Sequence, residues 1–212
     1  MYIKTIRSYT LISCFMAMVS IAFAQPEFTA EVTQLLPSFK FKDSEGRKLN
    51  SEYQSLITGA YGIGLRYIFE SGIYLRGGVG LRNAGANLVY DNINYSWKMQ
   101  YADIKLGIGY RAKFKTIRPY IVASGYFAPL LRGTQTLHDE IINITKSGVI
   151  KTQDLGLNIT PGIDMKFTQY LSSYIEFNYL MGLSNIELNT NQKATNSAFG
   201  LTVGVAVLLM EK

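Results

Sequence analysis

Few residues of this chain could carry acid–base, nucleophilic or metal chemistry. Its 212 residues include one histidine, His138, and one cysteine, Cys14, which excludes His/Cys metal clusters, disulfide frameworks and Cys–His catalytic pairs. His138 precedes Asp139 and Glu140, a trio that a hydrolase could use as base and orienting groups, but no spacing brings a serine or threonine beside it. We therefore predict a non-enzymatic protein with no catalytic residue, metal or cofactor.

The other candidates are charged residues on segments that alternate between apolar and polar positions. Such alternation indicates β-strands with unlike faces. From Asp154 to Phe167 every odd position is apolar, and every even position is polar, charged or glycine. The six candidates on such segments are Arg66, Arg76, Arg111, Asp164, Lys166 and Glu176.

Eight such segments are predicted to position these residues. The first and fifth are the least regular, and Leu35-Leu36-Pro37 interrupts the first because proline cannot donate to a strand ladder. The eight predicted strands are roughly Phe28–Phe41, Ile57–Phe69, Ile73–Arg82, Ala102–Phe114, Arg118–Arg132, Asp154–Phe167, Tyr174–Leu183 and Phe199–Val207.

The links between these segments alternate in length. Three are tight turns, near Glu70–Gly72, Lys115–Ile117 and Thr168–Tyr170. The other four are longer and polar, and they run about Lys42–Ser51, Tyr90–Tyr95, Gly133–Thr152 and Asn189–Asn196. An even strand number with short links at one end predicts an all-β fold, an eight-stranded antiparallel up-and-down transmembrane β-barrel.

Glycine decides which face points outward. Of 19 glycines, 11 lie on the polar faces, where a soluble barrel would gain nothing from them but a narrow lumen needs small residues between large ones. The apolar face is therefore predicted to meet lipid. Outward aromatic residues are expected to form a girdle at the short-turn rim, and they are Tyr67, Phe69, Phe114, Tyr120 and Phe167.

The inward charges suggest a closed lumen. Centring the hairpins on their turns sets Arg66 opposite Arg76, and Asp164 opposite Glu176 half a circuit away. We expect the two arginines to reach across to the two carboxylates, with Arg111 and Lys166 nearby, as a charged plug. The alternative is that these groups line a water-filled lumen.

The first 24 residues indicate export. Lys4 and Arg7 precede an uncharged apolar run that ends in Ala22-Phe23-Ala24, which predicts a signal peptide over residues 1–24 cleaved near Ala24, followed by the barrel domain over residues 25–212. Lipidation at Cys14 is the less favoured alternative. Cleavage lowers the net charge from +6 to +4, and the scattered basic residues do not indicate nucleic-acid binding.

The signal peptide, the segment Tyr179–Ile186 and the final strand Phe199–Gly204 resemble the small outer-membrane barrels of the PorT type, which are common in Bacteroidota. Unlike many outer-membrane barrels, the chain lacks a terminal aromatic residue and ends Leu209-Met210-Glu211-Lys212. The resemblance implies an outer-membrane location in a Gram-negative cell and a link to secretion or envelope machinery.

We therefore expect an integral outer-membrane protein with a binding or assembly role, surrounded by outer-membrane lipid. Apolar residues in the loop 133–152 suggest a hairpin around Lys146-Ser147-Gly148 that binds a protein partner by strand addition. The alternatives are a small gated channel or porin and a soluble periplasmic lipocalin-like barrel with its apolar face inward.

Overall fold

A computed structural model describes residues 25–48, 52–90, 93–137, 140–145, 150–188 and 191–209. The predicted signal peptide, His138 and Asp139, and the predicted turn at Lys146-Ser147-Gly148 lie outside these residues. The described part of the chain contains no helix long and apolar enough to cross a membrane.

The described residues form ten strands: β1 Gln25–Lys42, β2 Tyr53–Gln54, β3 Thr58–Ile68, β4 Ile73–Tyr90, β5 Ile93–Arg111, β6 Ile117–Leu137, β7 Glu140–Asn143, β8 Gln153–Lys166, β9 Leu171–Gly182 and β10 Lys193–Leu208. Eight long antiparallel strands close into a ring. Its order is β1-β3-β4-β5-β6-β8-β9-β10, and β10 pairs back with β1. Two short strands lie outside the ring, with β2 paired to β4 and β7 paired to β6.

The apolar face of the strands points outward, as predicted. In β10 from Phe199 onward the exposed residues are Phe199, Leu201, Val203, Val205 and Val207, and they alternate with buried ones. From Phe199 to Leu209 the chain rises about 33 Å at ~3.3 Å per residue. A strand tilt of ~40° reduces this to about 25 Å, the height of a lipid-facing apolar band.

Exposed aromatic residues lie at both ends of this band. At the short-turn end Phe114, Phe167 and Tyr170 are 45–66% exposed. The prediction for Tyr120 is wrong, because its ring is buried inside the barrel. The second group, toward the long loops, was not predicted. It contains the exposed residues Tyr61, Phe127, Phe177 and Phe199, with the half-buried Tyr179 beside them.

The three short turns are confirmed, but one of the predicted long links is wrong. β4 and β5 remain paired up to Tyr90 opposite Ile93, so only two residues separate these strands. Alternation of apolar residues missed this extension because the outer ends of β4 and β5 continue beyond the apolar band.

Local features explain the two irregular strands. Pro37 does not interrupt β1. The pairing of β1 with β3 ends at Leu35, so no β3 carbonyl needs an N–H from residue 37. On that side the Pro37 carbonyl accepts a hydrogen bond from the N–H of Leu56 at 3.1 Å. In β6 a register shift leaves Leu131 unpaired between Leu130 and Arg132. This bulge turns Gly133 inward and ends the regular alternation.

Candidate functional site

Glycines inside the barrel make room for tyrosine rings. A Cβ on Gly162 would lie 2.6 Å from Cζ of Tyr120, so no larger residue fits beside this ring. In each of four cross-strand pairs an inward tyrosine faces a glycine: Tyr74 and Gly109, Tyr120 and Gly162, Tyr126 and Gly156, and Tyr174 and Gly204. Glycine therefore sets the positions of the tyrosines that separate the lumen charges.

Asp164 is the centre of a buried cluster at the short-turn end. Its carboxylate is fully buried and forms three ion pairs, with Nη2 of Arg66 at 3.2 Å, Nη1 of Arg111 at 3.1 Å and Nη2 of Arg118 at 2.9 Å. Arg66 also forms an ion pair with Glu27. The cluster joins strands β1, β3, β5, β6 and β8 across the lumen.

A second cluster lies next to the first, around Arg76. This guanidinium donates to Oε1 of Glu176 at 2.6 Å and also pairs with Glu31. Tyr120 donates its hydroxyl to the same Oε1 of Glu176 at 2.5 Å, and the Tyr174 hydroxyl lies 3.1 Å from Glu31. The second cluster therefore connects opposite walls of the barrel.

A third cluster surrounds Arg82 nearer the long loops. Its Nε lies 3.0 Å from Asp103 and its Nη2 lies 3.1 Å from Asp154. Asp154 also accepts hydrogen bonds from Tyr126 at 3.1 Å and from the Asn196 amide at 2.8 Å. The cost of burying the Asp154 carboxylate is therefore offset by hydrogen bonds as well as by the opposite charge of Arg82.

Over the three clusters, six cationic side chains form ion pairs with six carboxylates within the described residues. The cations are Arg66, Arg76, Arg82, Lys105, Arg111 and Arg118, and the carboxylates are Glu27, Glu31, Asp103, Asp154, Asp164 and Glu176. The interior charge is therefore balanced. A cavity of about 30 Å³ remains beside Arg76 and Asp103, which is room for about one water molecule.

The structure brings together five of the six predicted residues. Arg66 lies opposite Arg76, as expected. Asp164, however, lies opposite Tyr174, and Glu176 faces Gly162, so this predicted register is wrong by two residues. Lys166 is exposed at the end of β8 and belongs to none of the three clusters.

Sequence reasoning did not select the acidic residues of β1 or the third cluster. A signal for β1 was present, because Glu27, Thr29, Glu31 and Thr33 occupy alternating positions and all turn inward. Arg82, Asp103 and Asp154 also lie on polar faces, but nothing in the sequence indicates that these three meet.

Above the third cluster the interior becomes apolar. Leu35 and Phe39 of β1 pack there with Met99, Leu130 and Leu180. The prediction that the apolar residues of loop 133–152 protrude is wrong for Ile144 and Ile150, which are 2% and 7% exposed and complete this core. They fit because Gly133 faces them without a side chain.

The long-loop end carries a sheet that projects beyond the apolar band. β4, β5 and β6 extend into it, and β7 adds an outer strand along residues 134–137 of β6. Ile141 and Ile142 of β7 are 73% and 43% exposed. This edge combines apolar side chains with a strand whose outer side pairs with no other described strand.

No protein-family model matches this chain, and no curated protein matches it. Several solved structures resemble the fold. Neisserial surface protein A is 13% identical with a TM-score of 0.53, and the match covers 87% of this chain and 97% of that one. The outer-membrane protein OprG of Pseudomonas aeruginosa is 10% identical with a TM-score of 0.50, over 89% and 97% of the two chains. The architecture of this chain is therefore that of an eight-stranded transmembrane β-barrel of the outer-membrane kind.

Proposed function

We propose that this protein is a non-enzymatic integral outer-membrane barrel, closed to solutes, that binds a protein partner through its long-loop sheet. The observation that carries the proposal is the combination of an outward apolar band with an interior filled by balanced ion pairs. Lipid tails would cover the apolar outer face, and the interior is filled without a ligand. The resemblance to PorT-type barrels supports a role in secretion or envelope assembly.

Cell fractionation and gel migration test the membrane location. We expect the chain in the outer-membrane fraction, with a folded form that migrates differently before and after boiling in detergent. A chain that stays monodisperse in water without detergent would contradict the proposal and favour the lipocalin-like alternative.

Planar bilayers test whether the barrel is closed. The three ion-pair clusters and the apolar core above them support the absence of a continuous water path. We expect no single-channel steps from the purified barrel. Reproducible conductance would favour the gated channel instead.

The long-loop edge is the part proposed to contact a partner. Exposed strand edges bind extended segments by main-chain hydrogen bonds, and the exposed isoleucines of β7 add apolar area. A photo-crosslinking amino acid at Ile141 should give a discrete adduct in cells. The control is Leu188, an exposed residue in the β9–β10 loop. Adducts at neither position, or the same adducts at both, would contradict the proposed contact.

A further inference from the structure

Four lysines form a compact group on the outer surface at the long-loop end. Lys42 of β1 lies opposite Lys193 of β10 on one side and opposite Lys48 on the other. Lys40 is two residues away on the same face of β1, and all four side chains are exposed. We refer to Lys40, Lys42, Lys48 and Lys193 as the lysine cluster.

The cluster has no carboxylate partner within the described part of the chain. The nearest acidic residues in sequence, Asp43 and Glu45, both form ion pairs with Arg47, at 2.9 and 3.1 Å. The hydrogen bond from Arg47 lowers the pKa of Asp43 below its ordinary value, so this carboxylate is already committed. Like charges directly opposite each other on neighbouring strands are destabilising, and an anion between them would reverse this effect.

The position of the cluster relative to the apolar band gives its depth in the barrel wall. On the outward face of β1 and β10, apolar residues up to Leu36 and Phe199 give way to Ser38 and then to the lysines. Lys40 lies four residues beyond Leu36, about 13 Å along the strand at ~3.3 Å per residue and about 10 Å in height at a tilt of ~40°.

Lys40 is also joined to the aromatic residues at the upper end of the band. Its Nζ donates to the Tyr179 hydroxyl at 2.8 Å and lies 5.4 Å from the centre of that ring. Interfacial tyrosines lie at headgroup level. The rest of the cluster lies just beyond this level, where headgroup phosphates would surround an inserted barrel.

We propose that the lysine cluster binds the phosphates of a multiply phosphorylated lipid headgroup in the leaflet on the long-loop side. Lys193, Lys42 and Lys48 lie side by side, Lys42 and Lys193 on paired strands and Lys48 on a segment bridged to Lys42. At ~5 Å between paired segments the three span about 10 Å, which suits two phosphates better than one. Neighbouring ammonium groups then share the anionic oxygens, and the repulsion between them is removed. The inference rests on the proposed membrane insertion but not on a protein partner.

The test compares two triple variants that each lose three positive charges. The cluster variant carries Lys42→Gln, Lys48→Gln and Lys193→Gln. The control carries Lys113→Gln, Lys115→Gln and Lys166→Gln, three exposed lysines at the short-turn end. Each protein is folded in zwitterionic detergent, checked for its heat-modifiable form, and titrated with bisphosphorylated lipid A, with the dephosphorylated lipid, and with inorganic phosphate.

We expect the wild type and the control to bind the bisphosphorylated lipid equally well, as measured by native mass spectrometry. The cluster variant should bind it about fivefold more weakly per lysine removed, on the order of a hundredfold in total. Without lipid, the cluster variant should unfold at the same denaturant concentration as the wild type or at a higher one, because repulsion is relieved. If the three lysines instead stabilised the fold, the cluster variant would unfold at a lower denaturant concentration than the wild type.

Three results would overturn the proposal: unchanged lipid affinity of the cluster variant, an equal loss in the control, or equal binding of the dephosphorylated lipid. If inorganic phosphate at the same concentration bound the wild type as well as the lipid did, the bound anion would be free phosphate and not a headgroup. Loss of the heat-modifiable form in every protein would instead count against membrane insertion itself.

Discussion

Replacement of Asp164 by asparagine should destabilise the barrel strongly. The carboxylate contacts three guanidinium groups at 2.9–3.2 Å and is fully buried. At a charge separation of about 4 Å and an effective dielectric constant of ~20, each pair contributes about 4 kcal/mol before desolvation is subtracted. The variant leaves Arg66 and Arg111 with Glu27 as their carboxylate partner, and it leaves Arg118 without one among the described residues. We therefore expect a net loss of about 3–5 kcal/mol in the free energy of unfolding.

The assay is equilibrium denaturation of the detergent-folded barrel, followed by the fluorescence of Trp97, the single tryptophan. Glu45→Gln is the matched control, because Glu45 is 68% exposed in its ion pair with Arg47 and its loss should cost less than about 1 kcal/mol. A cycle with Arg66→Met isolates the contact across the lumen. We expect the double variant to lose about 1–3 kcal/mol less than the sum of the single losses. Additive losses would refute the reasoning that the cluster acts across the barrel.

Three further variants test other parts of the structure. Gly204→Val places a side chain against the Tyr174 ring and should lower the free energy of unfolding by about 1–3 kcal/mol. Adding Tyr174→Ala should recover part of this loss, and an unchanged unfolding midpoint of Gly204→Val would contradict the tight fit. Leu106→Arg places a charge on the outward face, at a residue that is 71% exposed. In bilayers it should lower the free energy of unfolding by about 2–4 kcal/mol. An unchanged free energy of unfolding would mean that this face meets water. Burial raises the pKa of Glu187 above its ordinary value, so the folded state retains this proton and loses stability as the pH rises from 4.5 through the raised value. Glu187→Gln should remove that loss. Identical dependence of the unfolding free energy on pH in the two proteins would rule out a contribution from Glu187.

Alternation was sufficient to predict the barrel, because each spanning strand must present lipid and lumen on opposite faces. The segment from Asp154 to Phe167 shows this alternation in its sequence, and β8 occupies nearly the same residues. The inward glycines gave the direction of the faces. The tight turn near Gly72 then fixed the pairing of Arg66 with Arg76, because both lie a few residues from the same turn.

Contacts between distant strands could not be read in this way. Arg66 and Asp164 are separated by 98 residues, and their contact depends on how all eight strands are staggered around the ring. The local register also depends on the exact turn, so the partner predicted for Asp164 is wrong. Pro37 is accommodated only because neighbouring β3 has already ended its pairing with β1.

The sequence by itself determined the number of strands in the ring, the face that meets lipid and the polar character of the interior, since these follow from a period of two and from residue size. The tertiary structure decided that Tyr120 turns inward and that the lumen charges balance in three clusters. It also decided that Ile144 and Ile150 fold back into the core. Each of these depends on a side chain finding space or an opposite charge on a strand far away in the chain, and no local pattern contains that information.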